Sequence, residues 1–254
     1  MSQDKIIFLG TAGARMVVAK QIRASGGMWL SLDNTNLYID PGPGALVKCM
    51  ARKEKLDPRQ LDGILLSHKH IDHSNDVNIM IEAMTEGGFK PKGVVFAPAD
   101  ALNVDPVILN YVREFVDDIQ IIKEGQTYSI GNITFSSPIH HDHSDVETYG
   151  INFLSSKHTI SYITDTKYFP ELSQHYRGDV LIISVVRLKH SQYYHLCIDE
   201  ARRIIEDVKP KATILTHFGM TMIQAKPWEV AERLSQEIGI NIIAARDGMT
   251  FELD

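Results

Sequence analysis

Cysteine is almost missing from this chain of 254 residues: Cys49 and Cys197 are the two, far apart and outside any C-x-x-C. A disulfide framework and a zinc ribbon are therefore excluded, and the usage suits a reducing compartment. No window approaches the roughly 18 apolar residues that a membrane span needs. The opening "MSQDKIIFLGTAG" has no basic stretch leading into a long apolar run. A cytoplasmic protein with no membrane segment is expected. Positive charge is not in excess either, the formal net charge being −6, which argues against a broad grip on nucleic acid through its phosphates. Internal repeats, low-complexity tracts and linkers are absent. What remains is an ordinary globular composition, 44% hydrophobic and 23% charged, in a chain long enough for a sizeable core. Its 11 histidines are unevenly placed.

Apolar runs bounded by turn residues mark the strands. "KIIFLG" opens the chain. "MWLSLD" and "NLYID" form a hairpin around Asp33 to Asn36. "DPGPGALVKCMARKEK" is a turn running into a helix, with Pro43 near its start and lysines at its end. "LDGILLSH" reads as a buried strand, and Asp72 to about Met84 as a helix with Val77, Met80, Ile81 and Met84 on one face. "VVFAPAD" is a strand and "DPVILNYVREFV" an amphipathic helix. "QTYSIGNITFSSPIHH" is a hairpin around Gly131, and "TYGINFLSS" with "TISYITD" a further pair. "GDVLIISVV" and "KATILTHF" are strands, "CIDEARRIIEDVKP" and "PWEVAERLSQEI" helices. "INIIAARDGMTFEL" reads as a closing strand pair. The expected fold class is α/β: two mixed β-sheets face to face with helices outside, a four-layer αββα sandwich, as one domain over residues 1–254.

The polar clusters fall at the C-terminal ends of apolar strands, where a rigid scaffold carries chemistry. The densest is "SHKHIDHSND", with His68, His70, Asp72 and His73 inside six positions. In an extended H-x-H, alternation puts His68 and His70 on one side, within reach of one ion. Asp72 and His73 come as a helix begins, so they point elsewhere and suit a second ion. Mixed imidazole and carboxylate donors suit zinc first, with manganese or iron as alternatives. Further donors end later strands: His140, His141 and His143 in "SPIHHDHSD", Asp165 in "SYITDTKYF", and His217 in "ATILTHFGM".

H-x-H-x-D-H followed by a histidine, an aspartate and a final histidine, each at a strand end, resembles the metallo-β-lactamase-fold hydrolase superfamily. "FLGTAG" and "YIDPGPG" resemble that family's first strand and early turn, so the likeness runs through the whole chain. It implies two divalent metal ions. The first takes His68, His70 and His143, the second takes Asp72, His73 and His217, and Asp165 bridges them. The histidine position follows the register before Gly150 seen in the phosphodiesterase branch, with His141 as the alternative to His143. His140 and His141 are then supporting or substrate-facing. His195, just ahead of a helix and 22 positions before His217, resembles the non-ligand catalytic histidine of transfer-RNA 3′ processing enzymes and cyclic-ribose phosphodiesterases. It is the general-acid candidate, with His190 as competitor. The nucleophile implied is a water shared by the ions, held by Asp72 and Asp165.

The likeness has gaps. His143 and Asp165 stand only 22 positions apart, so the long substrate-grasping arm of the transfer-RNA processing enzymes is missing and an extended RNA grip is not expected. The compact layout looks closer to the phosphonate-pathway cyclic phosphodiesterase, yet no cysteine precedes Cys49 to form that family's extra zinc site. The reading is a phosphodiesterase for a small phosphodiester or a nucleotide, with a homodimer as a reasonable state for the superfamily. A lactone, thioester or β-lactam hydrolase on the same metals is the alternative, and a metal-dependent sensor or redox protein is the alternative of another class. Among the remaining residues, Gly42 and Gly44 shape the turn under the metals. Asp40 either braces a ligand histidine or serves the turn alone. Ser25, Gly26 and Gly27 line the mouth of the site or form a surface loop. Arg15, Lys20 and Arg23 contact a phosphate or are simply solvated, and Trp29 and Trp228 are packing residues.

Overall fold

The computed structural model describes residues 3–253 apart from residue 104. Lys5–Gly10 (β1) is apolar at nearly every position because both of its faces are covered: Ile6 and Phe8 point to one side, Ile7 and Leu9 to the other. Ser25–Leu32 (β2) and Thr35–Ile39 (β3) form the expected hairpin. Its turn residues Asp33 and Asn34 have φ of 47° and 63°, the left-handed geometry of a tight two-residue turn. Gly63–Leu65 (β4), Val94–Ala97 (β5) and Asp118–Ile121 (β6) continue the sheet in parallel from β3.

A second sheet holds Gln126–Ile130 (β7), Ile133–Ser137 (β8), Ile151–Leu154 (β9), Thr159–Ile163 (β10), Val180–Ser184 (β11), Ala212–Thr216 (β12) and Asn241–Ala244 (β13). Thr250–Glu252 (β14) returns to pair with β1. The first sheet runs β14-β1-β2-β3-β4-β5-β6 and the second β13-β12-β11-β10-β9-β8-β7. Phe8, Leu30, Phe96, Phe135, Phe153 and Ile182 lie in the shared core.

Among the described residues, seven short or medium helices accompany the sheets: Ala14–Ala19 (α1), Ala45–Ala51 (α2), Ile71–Ser74 (α3), Val77–Met84 (α4), Ile198–Val208 (α5), Met220–Gln224 (α6) and Pro227–Ile238 (α7). On the far side of the first sheet, α2 and α4 bury Cys49, Met80 and Ile81. On the far side of the second, α5 and α7 bury Ile204, Ile205 and Leu234. The architecture is the expected αββα sandwich. No helix of the described residues is long and apolar enough to cross a membrane.

Three local expectations are corrected. The helix expected over Asp72 to Met84 is broken in two, because the Asp76 N–H bonds the Pro41 carbonyl at 2.9 Å rather than continuing the helical ladder. The segment "DPVILNYVREFV" forms only a 3₁₀ turn over Asn110–Phe115. Arg113 ties itself to the Leu102 and Ile108 carbonyls at 2.7 Å each, so side-chain bonds replace a regular helix there. The closing strands are not a pair: β13 joins β12, while β14 crosses to β1 in the other sheet.

Phe135 is buried in the shared core, 4.8 Å from the Phe96 ring and 5.2 Å from Tyr128 between centroids. Phe135→Ala is expected to destabilise the fold by about 3–5 kcal/mol, measured by urea unfolding. A loss below about 1 kcal/mol would mean that this core collapses readily around the void.

Candidate metal centre

Strand ends of both sheets converge at one edge of the sandwich. Asp40 follows β3, Ser67 and His68 follow β4, Asp165 follows β10, and His217 follows β12. His70 precedes α3, which carries Asp72 and His73. His143 sits on the loop after β8, and His195 on the loop between β11 and α5. Gly42 lets the turn after β3 lie against α3: a Cβ there would come within 2.0 Å of the Asp72 carbonyl oxygen and 2.3 Å of that of Ser25. Gly44 has open space around it, and its requirement is the left-handed φ of 87° at the start of α2.

Asp40 is the organising residue. It is buried, with φ of 51°. Its Oδ1 accepts the Ser67 N–H at 2.7 Å. Its Oδ2 accepts the Ser67 hydroxyl at 2.7 Å, the His73 Nδ1–H at 3.0 Å and the Tyr162 hydroxyl at 3.0 Å. Since the Ser67 proton points at Asp40, Ser67 Oγ accepts from His68 Nδ1 at 3.0 Å. One carboxylate thus fixes two imidazoles, His73 directly and His68 through Ser67, each with Nε2 left bare. His143 is fixed the same way, its Nδ1–H donating to the Tyr194 carbonyl at 2.8 Å. Supporting hydrogen bonds of this kind set the tautomer and aim of a metal-binding histidine.

The bare nitrogens face one another. His73 Nε2 is 3.4 Å from His217 Nε2, and His70 Nδ1 is 3.0 Å from His143 Nε2. Asp165 stands between the two groups. Its Oδ2 is 3.7 Å from His73 Nε2, 3.6 Å from His143 Nε2, 3.4 Å from His195 Nε2 and 3.3 Å from His217 Nε2. Asp72 Oδ2 is 3.6 Å from His217 Nε2. Donor atoms lie within 4.8 Å of one another in the sets His68/His70/His143, His68/His73/Asp165, Asp72/His73/His217 and His143/Asp165/His195.

This arrangement fits divalent cations. His68 Nε2 and Asp165 Oδ1 are buried without a hydrogen-bond partner, a costly state for polar atoms unless something else binds them. Burial lowers the proton affinity of His68, His70 and His143, so these rings present lone pairs. Burial alone would also lower His73, but the Asp72, Asp40 and Asp165 carboxylates outweigh it and raise it well above the usual imidazole range. Burial alone would raise Asp165, but His217, His195 and His73 outweigh it and hold its carboxyl well below the usual range. The field that would place a proton among these groups equally favours a metal cation.

All eight expected site residues are brought together. His141 is not among them: it is buried, its Nε2 is 2.6 Å from the Tyr176 hydroxyl and its Nδ1 is 3.3 Å from the Asp165 carbonyl oxygen. With burial driving its pKa to about 3, His141 supports the backbone that carries Asp165. His140 packs edge-on against Tyr149, and His190 lies outside, bonded to Glu200 at 2.8 Å. Ser25, Gly26 and Gly27 are no surface loop but the start of β2, and Ser25 and Gly27 line a small cavity with Asp40, His73 and His217. Arg23 is held by Thr11 Oγ1 at 2.9 Å and the Ala245 carbonyl at 3.2 Å, a structural role, and Lys20 is exposed. Trp29 is buried as expected, but Trp228 is 46% exposed because α7 turns Val230, Ala231 and Leu234 inward instead. The residues that sequence reasoning missed are Ser67, Tyr162 and the Tyr194 carbonyl. Ser67 adjoins the histidine cluster, but nothing in the sequence marks the cross-sheet reach of Tyr162.

Comparison with known proteins adds the family. The family model described as the beta-lactamase superfamily domain matches residues 35–218. The uncharacterized protein MJ1374 of Methanocaldococcus jannaschii is 30% identical over 257 residues, covering 98% of this chain and 95% of that protein. Ribonuclease Z of Thermoplasma volcanium is 25% identical over 145 residues, covering 56% of this chain and 46% of that protein. A solved structure described as a new diphosphatase from the PhnP family superposes with a TM-score of 0.74 at 21% identity, covering 99% of this chain and 98% of the other.

Asp40→Asn removes the charge that orients His73 and His68. It is expected to weaken zinc binding about 10–100-fold, read by competition with a chromophoric chelator. Unchanged affinity would show that packing alone aims these rings.

Proposed function

The chain belongs to the beta-lactamase superfamily, related there to the ribonuclease Z and phosphodiesterase branch, and on that premise we propose that it hydrolyses phosphate diesters with two divalent metal ions, zinc first among the candidates. His68, His70 and His143 would hold one ion, Asp72, His73 and His217 the other, with Asp165 between them. Manganese or iron could take the same donors.

The observation that carries the reading is the placement of His195. The two three-residue groups and the central Asp165 account for the other donors, and His195 is an additional imidazole with Nε2 3.4 Å from Asp165 Oδ2. An imidazole beside the centre and not needed as a ligand is suited to donate a proton to a leaving oxygen. Asp165 orients its ring, and the 188–196 loop fixes its backbone, with Arg187 N–H bonding the Leu196 carbonyl at 3.2 Å and Ile198 N–H bonding the Arg187 carbonyl at 3.0 Å. Asp72, less buried than Asp165, is the carboxylate placed to accept a hydrogen bond from an attacking water. When bound, divalent ions supply Lewis acidity toward a phosphoryl oxygen and make water nucleophilic at neutral pH.

Charge favours an anionic diester over a neutral lactone or thioester, since two divalent ions outweigh the carboxylates Asp72 and Asp165 that face them. Size favours a small diester or a nucleotide. The chain between His143 and Asp165 is used mainly for β9, β10 and their turn, and no arm projects there to grasp a folded RNA. The relatives named as a ribonuclease and a diphosphatase fit the same phosphorus chemistry.

Incubation of the metal-loaded protein with bis-p-nitrophenyl phosphate and a lactone panel tests this reading. Turnover of the diester is expected, and turnover of lactones alone would sink it. Metal analysis of protein purified without added metal separates zinc from an iron-based redox role. His195→Ala is expected to keep its metal content and lose about 10²–10⁴ in kcat. Loss of metal instead would make His195 a ligand.

A further inference from the structure

Beside the centre lies a cavity of about 510 Å³, within the range of small-molecule sites. Three segments that leave the centre build its wall. Arg15 and Met16 come from α1, Arg187 and Tyr193 from the loop that carries His195, and Met220 and Thr221 from the start of α6, just after His217. Tyr193 stands two residues before His195, and the cavity's Gly219 two after His217. The N-terminal wall is pressed onto the centre as well: a Cβ on Gly13 would come within 2.6 Å of the His217 ring.

The chemistry of the wall is one-sided. Two arginines line it, and among the described residues no carboxylate does and neither arginine forms an ion pair. Arg187 Nε is buried without a hydrogen-bond partner, and its guanidinium lies 4.3 Å over the Tyr193 ring. A planar cation stacked on an aromatic ring keeps its edge free for an anion. Met16, Val17, Val186 and Met220 supply apolar surface around it.

We propose that this cavity is a subsite for a second anionic group, so that the preferred substrate is a nucleotide diester carrying a terminal phosphate beyond the scissile bond. This rests on the diester reading of the centre. The apolar wall takes the nucleoside body, and Arg187, with Arg15 at the rim, takes the terminal phosphate. The loop makes this a positioning device too. Tyr193 contacts the cavity, the Tyr194 carbonyl braces His143, and His195 faces Asp165, so a ligand held on Arg187 bears on consecutive residues of one loop.

The test compares thymidylyl-thymidine with its 5′-phosphorylated form on the metal-loaded protein, with bis-p-nitrophenyl phosphate as reference. The terminal phosphate is expected to lower KM about 10–100-fold, the worth of a hydrogen bond to a charged group. Arg187→Met should abolish that preference, and Arg187→Lys should restore part of it. Metal content and melting temperature check the fold of each variant. Should Arg187→Met fail to fold, Arg15→Gln on the exposed turn of α1 should reduce the preference. Turnover of the reference diester with neither dinucleotide cleaved, with equal KM for both, or with a preference unchanged in the variants overturns the subsite. Absence of turnover on all three substrates overturns the diester reading itself.

Discussion

A carboxylate buried between two sheets must have its hydrogen-bonding capacity filled, and Asp40 fills its own by holding the centre together. Its four bonds reach the end of β4, the first turn of α3 and Tyr162 of β10 in the opposite sheet. An uncompensated charge at that depth would be strongly unfavourable. The partners must therefore be in place when the sheets close, and their being in place aims His73 and His68. Assembly of the core and orientation of the donors are the same event. The left-handed backbone of Asp40 and of His217, with φ of 51° and 59°, is strain of about 1–3 kcal/mol each that such a network can sustain.

Around this hub the division of labour follows burial. His68, His73 and Asp165 are buried, while His70, Asp72 and His195 are more open. The closed side of the centre carries the donors that are shielded from solvent. The open side leaves Asp72 and His195 beside the space where a substrate would lie. His141 shows how far the support extends. It binds no neighbour within the donor cluster, yet through Tyr176 and the Asp165 backbone it fixes where the central carboxylate sits.

Much of this was legible in the sequence, for a definite reason. Alternating or continuous apolar runs identify strands because each strand must bury one or both faces, and polar residues ending such runs must emerge at a sheet edge. The polar clusters could therefore be found at strand ends, and the resemblance to the superfamily, carried by their order and spacing, implied which of their residues are donors. The errors fall where side chains compete with the backbone. The break after α3 depends on an Asp76–Pro41 bond, and the 3₁₀ turn at Asn110–Phe115 depends on Arg113 reaching two carbonyls. Neither contact leaves a periodic trace.

By itself the sequence determined the two-sheet sandwich and the edge at which its polar clusters emerge, because these follow from local patterning of apolar and polar residues. Tertiary structure alone decided that His143 rather than His141 faces the donor cluster, that Asp40 sets two imidazoles at once, that the last strands part into different sheets, and that Arg187 and Tyr193 wall a cavity beside His195. Each of those depends on which distant segments meet. The meeting is governed by closure of the two sheets over one core, which no short stretch of sequence encodes.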